Sequence, residues 1–358
     1  MSTPQTTVTI ADVARKSGFS KSAVSFVLND APLAKRISEE TKALIRQAAE
    51  DLGYRPNHLA RHLRSKRNQT IGIVVFDISD PYCTQILRGI EEVLYRFGSH
   101  LPLLTDVQND RVRFKRYVTM LLERQVEGLI VLGNSIYPET ELLEVLRECR
   151  TPIVMIGREL ENGSLNSVTA DNGLGARAAL EHLYDLGHRQ VAFIRGPKVM
   201  IDSNQRWKAI EGFARTVRMP LDAALILDTP LTIAGQQAGY ELTQRLLRGK
   251  KRFTALQAYD DLTAFGAIRA LNEAGIEVPR QCSVIGFDDV AMSAYYNPPL
   301  TTIHQDMELQ GRIGAEILLD ALREPGDRNP GARVRKLVTP RLVVRASTAP
   351  LNDVTAIP

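Results

Sequence analysis

Several things are scarce in this chain of 358 residues, and each scarcity excludes a class of protein. Cys83, Cys149 and Cys282 are odd in number, far apart and free of any CxxC spacing or neighbouring His cluster. Neither a disulfide framework nor a zinc site is supported, so no metal is expected and the three read as reduced, packed thiols. Long apolar runs are missing as well. No stretch approaches the ~18 apolar residues of a membrane-spanning helix, and the polar N-terminus has neither the basic n-region nor the apolar h-region of a secretory signal. The reading is a cytoplasmic protein with no membrane partner. Net charge is small, +4 from 45 Lys and Arg against 41 Asp and Glu.

What is present is a globular composition, 44% hydrophobic and 24% charged. The length fits two or three domains of roughly 150 residues each. The charge is unevenly spread: residues 1–70 hold 12 Lys and Arg against 6 Asp and Glu, net +6, which leaves 33 against 35, net −2, for the rest. A basic lobe on a nearly neutral body is the electrostatic footprint of phosphate binding.

That basic lobe has helical periodicity. Apolar residues fall in three short runs: Ile10, Val13 and Ala14; Val24, Val27 and Leu28; Leu44, Ile45, Ala48 and Leu52. Thr9 with Asp12 opens the first, Gly18 closes it, Ser20 caps the second, Ser38 with Glu39 and Glu40 opens the third, and Gly53 ends it. Four residues between the first two helices leave only a tight turn, the helix-turn-helix spacing. Any small three-helix bundle fits the periodicity; the charge favours a DNA-binding head over residues 8–54. In such a head the second helix enters the major groove with its N-terminal side chains at base edges, which nominates Lys21, Ser22, Ser25 and Phe26. Lys21 can donate to guanine or phosphate, whereas Phe26 offers only apolar contact, for instance to a thymine methyl.

Arg55 and Pro56 then break the chain, and NHLARHLRSKRNQ reads as a basic linker over residues 55–70. One or two helical turns there need a partner or DNA to order them. From Ile71 short apolar strands alternate with amphipathic helices. Strands are expected at 71–76, 101–105, 128–133, 152–157, 167–170, 190–196, 225–228, 255–259 and 282–287, and helices at 82–97, 110–125, 139–149, 173–186, 204–217, 232–248, 261–274 and 308–323. The fold class expected is an all-α helix-turn-helix head plus an α/β body of two doubly wound parallel-sheet subdomains, with a cleft where their strand C-termini meet.

Seven segments, VTIADVARKSG, SAVSFVLN, LGYRPN followed by LARHLRS, DNGLGARAALEHLYDLGHRQVAFIRG, VPRQCSVIGFDD, NPPLTTIHQD and TPRLVVRAST, occur in an order and spacing that resembles the LacI/GalR family of bacterial transcription repressors. The resemblance implies a body of periplasmic-binding-protein type I over residues 71–345. Its first subdomain would span about 71–171 and 306–330, its second about 172–303 and 331–345, with a tail at 346–358. It further implies an effector-controlled repressor that works as a homodimer on pseudo-palindromic operator DNA. A paired hinge helix at about Asn57 to Ser65 would enter the minor groove, with Leu63 at the wedge position. Unstacking a base step costs a few kcal/mol, offset by the contacts that bending permits. The DNA-contacting set then includes Thr9, Asn29, Tyr54, Asn57, Ala60, Arg61 and Arg64 beside the readers above. Phe26 stands where many members carry Arg or His, so operator sequence does not transfer.

For the effector, Arg206, Asp260 and Asp288 match ligand-contact positions and Tyr82 an aromatic one, while Asn134 and Arg158 follow strand ends. Carboxylates and a guanidinium suit vicinal hydroxyls, and an aromatic face suits the apolar side of a sugar, so a sugar or sugar derivative is expected. Asp260 replaces an Asn found in many members, which loses an amide donor and adds charge. An enzyme is disfavoured: no nucleophile–base pair or cofactor loop is evident. The Gly173-x-Gly175-x-x-Ala178 pattern lacks a following acidic ribose ligand, so its glycines read as helix packing and no cofactor is expected.

Overall fold

The computed structural model describes residues 8–29, 31–55, 68–97, 100–133, 146, 151–159, 165–233, 235–323 and 333–351. The chain divides into two compact units, Met1–Asn68 and Gln69–Pro358.

The first unit carries α1 (Ile10–Ser17), α2 (Lys21–Leu28), a 3₁₀ turn (Pro32–Arg36) that the sequence reading lacked, and α3 (Glu39–Asp51). The caps are those expected. The Asp12 carboxylate accepts from the Thr9 amide at 2.9 Å, Gly18 ends α1 at φ 76°, and the hydroxyls of Ser20 and Ser38 accept from Ala23 and Thr41. Val13, Val24, Val27 and Ile45 close a core with almost no solvent exposure, each worth about 1.5–3 kcal/mol of burial.

The second unit contains β1 (Thr70–Val75), α4 (Pro81–Phe97), β2 (Leu101–Asp106), α5 (Arg111–Glu123), β3 (Gly128–Leu132), β4 (Ile153–Ile156), β5 (Asn166–Ala170), α6 (Asn172–Asp185), β6 (Val191–Arg195) and α7 (Ile201–Thr216). Then follow β7 (Ile226–Asp228), α8 (Gly235–Arg248), β8 (Ala255–Ala258), α9 (Asp261–Glu273), β9 (Ser283–Ile285), β10 (Thr302–His304), α10 (Met307–Arg323), β11 (Arg335–Val338) and β12 (Arg341–Val343). A six-stranded parallel sheet in the order β11-β5-β4-β3-β1-β2 forms one lobe and a four-stranded parallel sheet, β7-β6-β8-β9, the other. Strands β1, β3 and β4 are almost wholly buried, which is why they read as unbroken apolar runs. Helices α8 and α9 approach so closely that a Cβ on Gly239 would lie 2.0 Å from the Thr263 carbonyl oxygen and one on Gly266 1.9 Å from that of Gln236. Gly175 of the formal dinucleotide pattern is likewise a packing residue, with a Cβ there falling 2.8 Å from the Phe287 ring.

Two boundaries differ from the sequence reading. The segment 331–345, expected in the second subdomain, is split: β11 pairs with β5 on the edge of the first sheet, and β12 pairs antiparallel with β10. The chain crosses back between Val338 and Arg341 because RKLV has a parallel edge to join, although only Val338 of it is buried. The expected polar tail is tied down over residues 346–351. Ser347 is fully buried, its Oγ donates to the Val284 carbonyl at 2.6 Å, and the Leu351 amide donates to Leu186 at 2.8 Å. Buried His188 adds contacts to Thr254, Ser283 and the Ala349 carbonyl. Short polar residues satisfied by backbone give no apolar signal, so periodicity passes over such a strap. The helix expected at 139–149 lies outside the described residues except for buried Leu146, as do Cys149, residues 56–67 of the linker and residues 352–358.

Candidate functional site

Strand order reverses beside β1 in the first sheet and beside β6 in the second, and the loops after these strands face one cleft of about 350 Å³. Ligands of open α/β sheets bind outside strand C-termini at such switch points. Asp77 and Asp80 follow β1 and Gly157 follows β4 on one wall; Thr229 follows β7, Tyr259 and Asp260 follow β8, and Asp288 follows β9 on the other.

Arg206 on α7 is the fixed cation of the cleft. Its Nε donates to Asn172 Oδ1 at 2.9 Å and its Nη1 to the Tyr259 carbonyl at 2.7 Å, while Nη2 lies 3.8 Å from Asp202 Oδ2. The guanidinium carbon sits 3.7 Å from the Phe287 ring centre, packed on its face. Burial opposes its charge, but Tyr259, Asp202, Asp288 and Asp260 together hold its pKa above the usual value.

The carboxylates are placed by backbone geometry. Asp260 caps α9, its Oδ1 accepting from the Thr263 amide at 2.7 Å. Asp288 sits at φ 115° and Asp289 at φ 59°, left-handed backbone that costs about 1–3 kcal/mol per residue and marks functional sites. Buried Asp261 holds that loop, accepting from the Val290 amide at 2.9 Å and from Ser293 Oγ at 2.6 Å. Gln305 Nε2 donates to Asp288 Oδ1, and the Tyr259 hydroxyl donates to Asp202 Oδ2. Burial pushes the Asp288 carboxyl well above the usual carboxylate range, against the pull of Arg206, and it raises Asp260 too. Burial also pushes Asp80 up to about 6. Carboxylates held this way accept hydrogen bonds from a ligand, and a buried guanidinium donates to it.

Of the nominated residues, Tyr82, Arg206, Asp260 and Asp288 line this cleft. Arg158 does not. Its side chain is 4% exposed, packs on Gly133 and borders an adjoining cavity with Asp171, Gln205 and Lys208 that shares Gly157, Ala170, Asn172 and Asp202 with the cleft. Trp207 stacks edge-on against Phe193, ring centres 5.5 Å apart, inside its own lobe. Asn134 lies outside the described residues. Sequence reasoning missed Asn172, Asp202, Thr229, Tyr259 and Gln305, all of which line the cleft. Asp202 could have been found, since it stands one helical turn before Arg206 on α7.

On the head, Lys21 and Ser22 are exposed at the start of α2 and Phe26 is half-buried on the same helix. Ser25 does not share that surface, being 7% exposed. The Asn29 amide donates to the Ser25 carbonyl at 2.8 Å, Thr9 is tied to Asp12, and Tyr54 packs against the core. Asn57, Ala60, Arg61, Leu63 and Arg64 lie outside the described residues.

Residues 9–57 match the family described as bacterial regulatory proteins, lacI family, and residues 180–348 match the periplasmic binding protein-like domain. The HTH-type transcriptional repressor PurR of Photobacterium profundum is 30% identical over 348 residues, covering 96% of this chain and 99% of that protein. The chain belongs to the LacI family. Among solved structures of that family, the Lac repressor dimer bound to operator and the anti-inducer ONPF superimposes with a TM-score of 0.83 at 27% identity, covering 96% of this chain and 100% of that one. A LacI family regulator from Enterococcus faecalis V583 with bound ribose is 31% identical with a TM-score of 0.67, over 78% of this chain and 99% of that one. The LacI-family chain described here is therefore a DNA-binding transcriptional repressor, and its relatives are repressors rather than enzymes. No helix among the described residues is long and apolar enough to cross a membrane.

Proposed function

We propose that operator affinity of this repressor is set by a small sugar-like effector bound in the cleft between the lobes. One observation carries the reading: Tyr82 from the first lobe and Arg206, Asp260 and Asp288 from the second converge on one cleft at the strand C-termini. Acceptors, one donor cation and aromatic rings together match the hydroxyls and apolar face of a sugar. The family neighbour holding ribose supports that class.

The head reads the operator through Lys21, Ser22 and Phe26, with Ser25 behind them, Thr9, Asn29 and Tyr54 at its rim, and Asn57, Ala60, Arg61, Leu63 and Arg64 in the linker. The working unit is a homodimer on a pseudo-palindromic site. Tyr95 and Phe97 on α4, Leu101 and Leu104 on the sheet-edge strand β2, and Val112 on α5 are all exposed, and such an apolar edge suits a second copy. Effector binding changes lobe closure, and the linker converts that change into DNA affinity.

Calorimetric titration of the protein with sugars and nucleobases tests the cleft. A sugar binds the wild type and Asp288→Ala abolishes it; a sugar that still binds the variant places the effector elsewhere.

A further inference from the structure

We propose that the effector carries a protonated amine, an amino sugar rather than a neutral sugar or a sugar acid. The inference rests on the cleft being a sugar site and specifies which sugars it takes.

The described lining includes five carboxylates, Asp77, Asp80, Asp202, Asp260 and Asp288, and Arg206 is the one Lys or Arg among them. Arg206 already commits Nε and Nη1 to Asn172 and Tyr259. Each of the five uses one oxygen internally: Asp77 for the Ser79 amide and hydroxyl at 2.9 and 2.6 Å, Asp80 for the Tyr82 amide at 2.9 Å, Asp260 for the Thr263 amide, Asp288 for Gln305, Asp202 for the Tyr259 hydroxyl. Asp202 Oδ1 is buried with no hydrogen-bond partner among the described residues.

A second, independent feature asks for a ligand. The Thr229 hydroxyl lines the same cleft, its residue 8% exposed, and has no partner among the described residues. Buried polar atoms are ordinarily paired, so a bound molecule is expected to complete it. The carboxylates also act on one another across the lobes, Asp260 raising Asp80 and Asp80 raising Asp288. A neutral sugar supplies donors but leaves this repulsion; an acid adds to it. An ammonium group supplies three donors and the missing charge.

The test is titration calorimetry of the full-length protein with glucosamine, galactosamine and mannosamine, each beside its parent hexose, its N-acetyl form and the corresponding uronic acid. At least one hexosamine should bind about tenfold or more tightly than its parent and its N-acetyl form. Asp202→Asn should shrink that advantage. The groups facing the amine are Asp77, Asp80 and Tyr82 from the first lobe and Asp202, Arg206, Tyr259, Asp260 and Asp288 from the second. Burial pushes the Asp80 carboxyl up to about 6 and raises Asp260 and Asp288 as well, so hexosamine binding should strengthen as pH rises from 5 through about 7. A parent hexose binding as tightly as its amine, or no hexosamine binding at all, overturns the amine and leaves a sugar site standing if any sugar binds. Binding of hypoxanthine or guanine with no sugar binding overturns both readings.

Discussion

The head and the cleft of this repressor solve opposite electrostatic problems. The head and the basic segment that follows it, residues 1–70, carry a net charge of +6 beside a very small apolar core, and Lys21 and Ser22 stay exposed to water until DNA arrives. The cleft gathers negative charge and takes it out of water, with Asp80, Asp260 and Asp288 all raised by burial around one guanidinium. The difference is that the reader is limited by fold stability and the cleft by charge balance. Each can be perturbed separately because they belong to different compact units.

The largest break in that comparison should come from Arg206→Ala. Removing the buried cation from beside Asp202, Asp260 and Asp288 should cost about 3–5 kcal/mol, seen as a lower melting temperature of the body and loss of effector binding. Arg206→Lys should rescue poorly, since an ammonium cannot reproduce the Nε and Nη1 geometry. In the head, Ile45→Ala should cost about 2–5 kcal/mol. Operator binding should then be lost in fluorescence titrations while calorimetry still finds an intact cleft; simultaneous loss of both would mean the units are not independent.

A third change sharpens the charge side. The Asp80 carboxyl is raised to about 6 in the folded protein, so its contribution is fully present below the unfolded value of 3.8 and is lost as pH rises through about 6. The ligand-free body should therefore lose stability over that window. Asp80→Asn should flatten the curve and gain about 2 kcal/mol at pH 7.5, measured by urea unfolding at several pH values. An unchanged slope would show that Asp80 is not desolvated. Smallest is Ser38→Ala, which removes the hydroxyl that accepts from Thr41 at the start of α3 and should cost the head about 1 kcal/mol.

The head was legible because its information is local: caps at Thr9, Ser20 and Ser38, apolar residues at helical spacing, and Gly18 and Gly53 at the ends. The parallel strands were legible for the same reason, being short apolar runs buried on both faces. Three strands escaped because β10 (TIH), β11 (RKLV) and β12 (RLV) each mix polar with apolar residues and lie next to segments with turn signals, so none forms an apolar run as clear as those expected. The strap at 346–351 is held by Ser347 and backbone carbonyls, which pattern cannot reveal. In the cleft, Asp260 and Asp288 follow strand ends and could be read directly. Arg158 follows one too, yet lines an adjoining cavity instead, and Gln305 enters from the crossover after β10, a position visible only once the sheets are assembled.

The central claim is that occupation of the cleft changes DNA affinity in the head. The direct measurement is fluorescence-detected binding of the full-length protein to an operator fragment selected from genomic DNA, titrated with and without the sugar that calorimetry identifies. Salt-dependent binding is expected, with a dissociation constant that shifts about tenfold or more with the sugar and does not shift in Asp288→Ala. A wild-type dissociation constant that is the same with and without the bound sugar would contradict it.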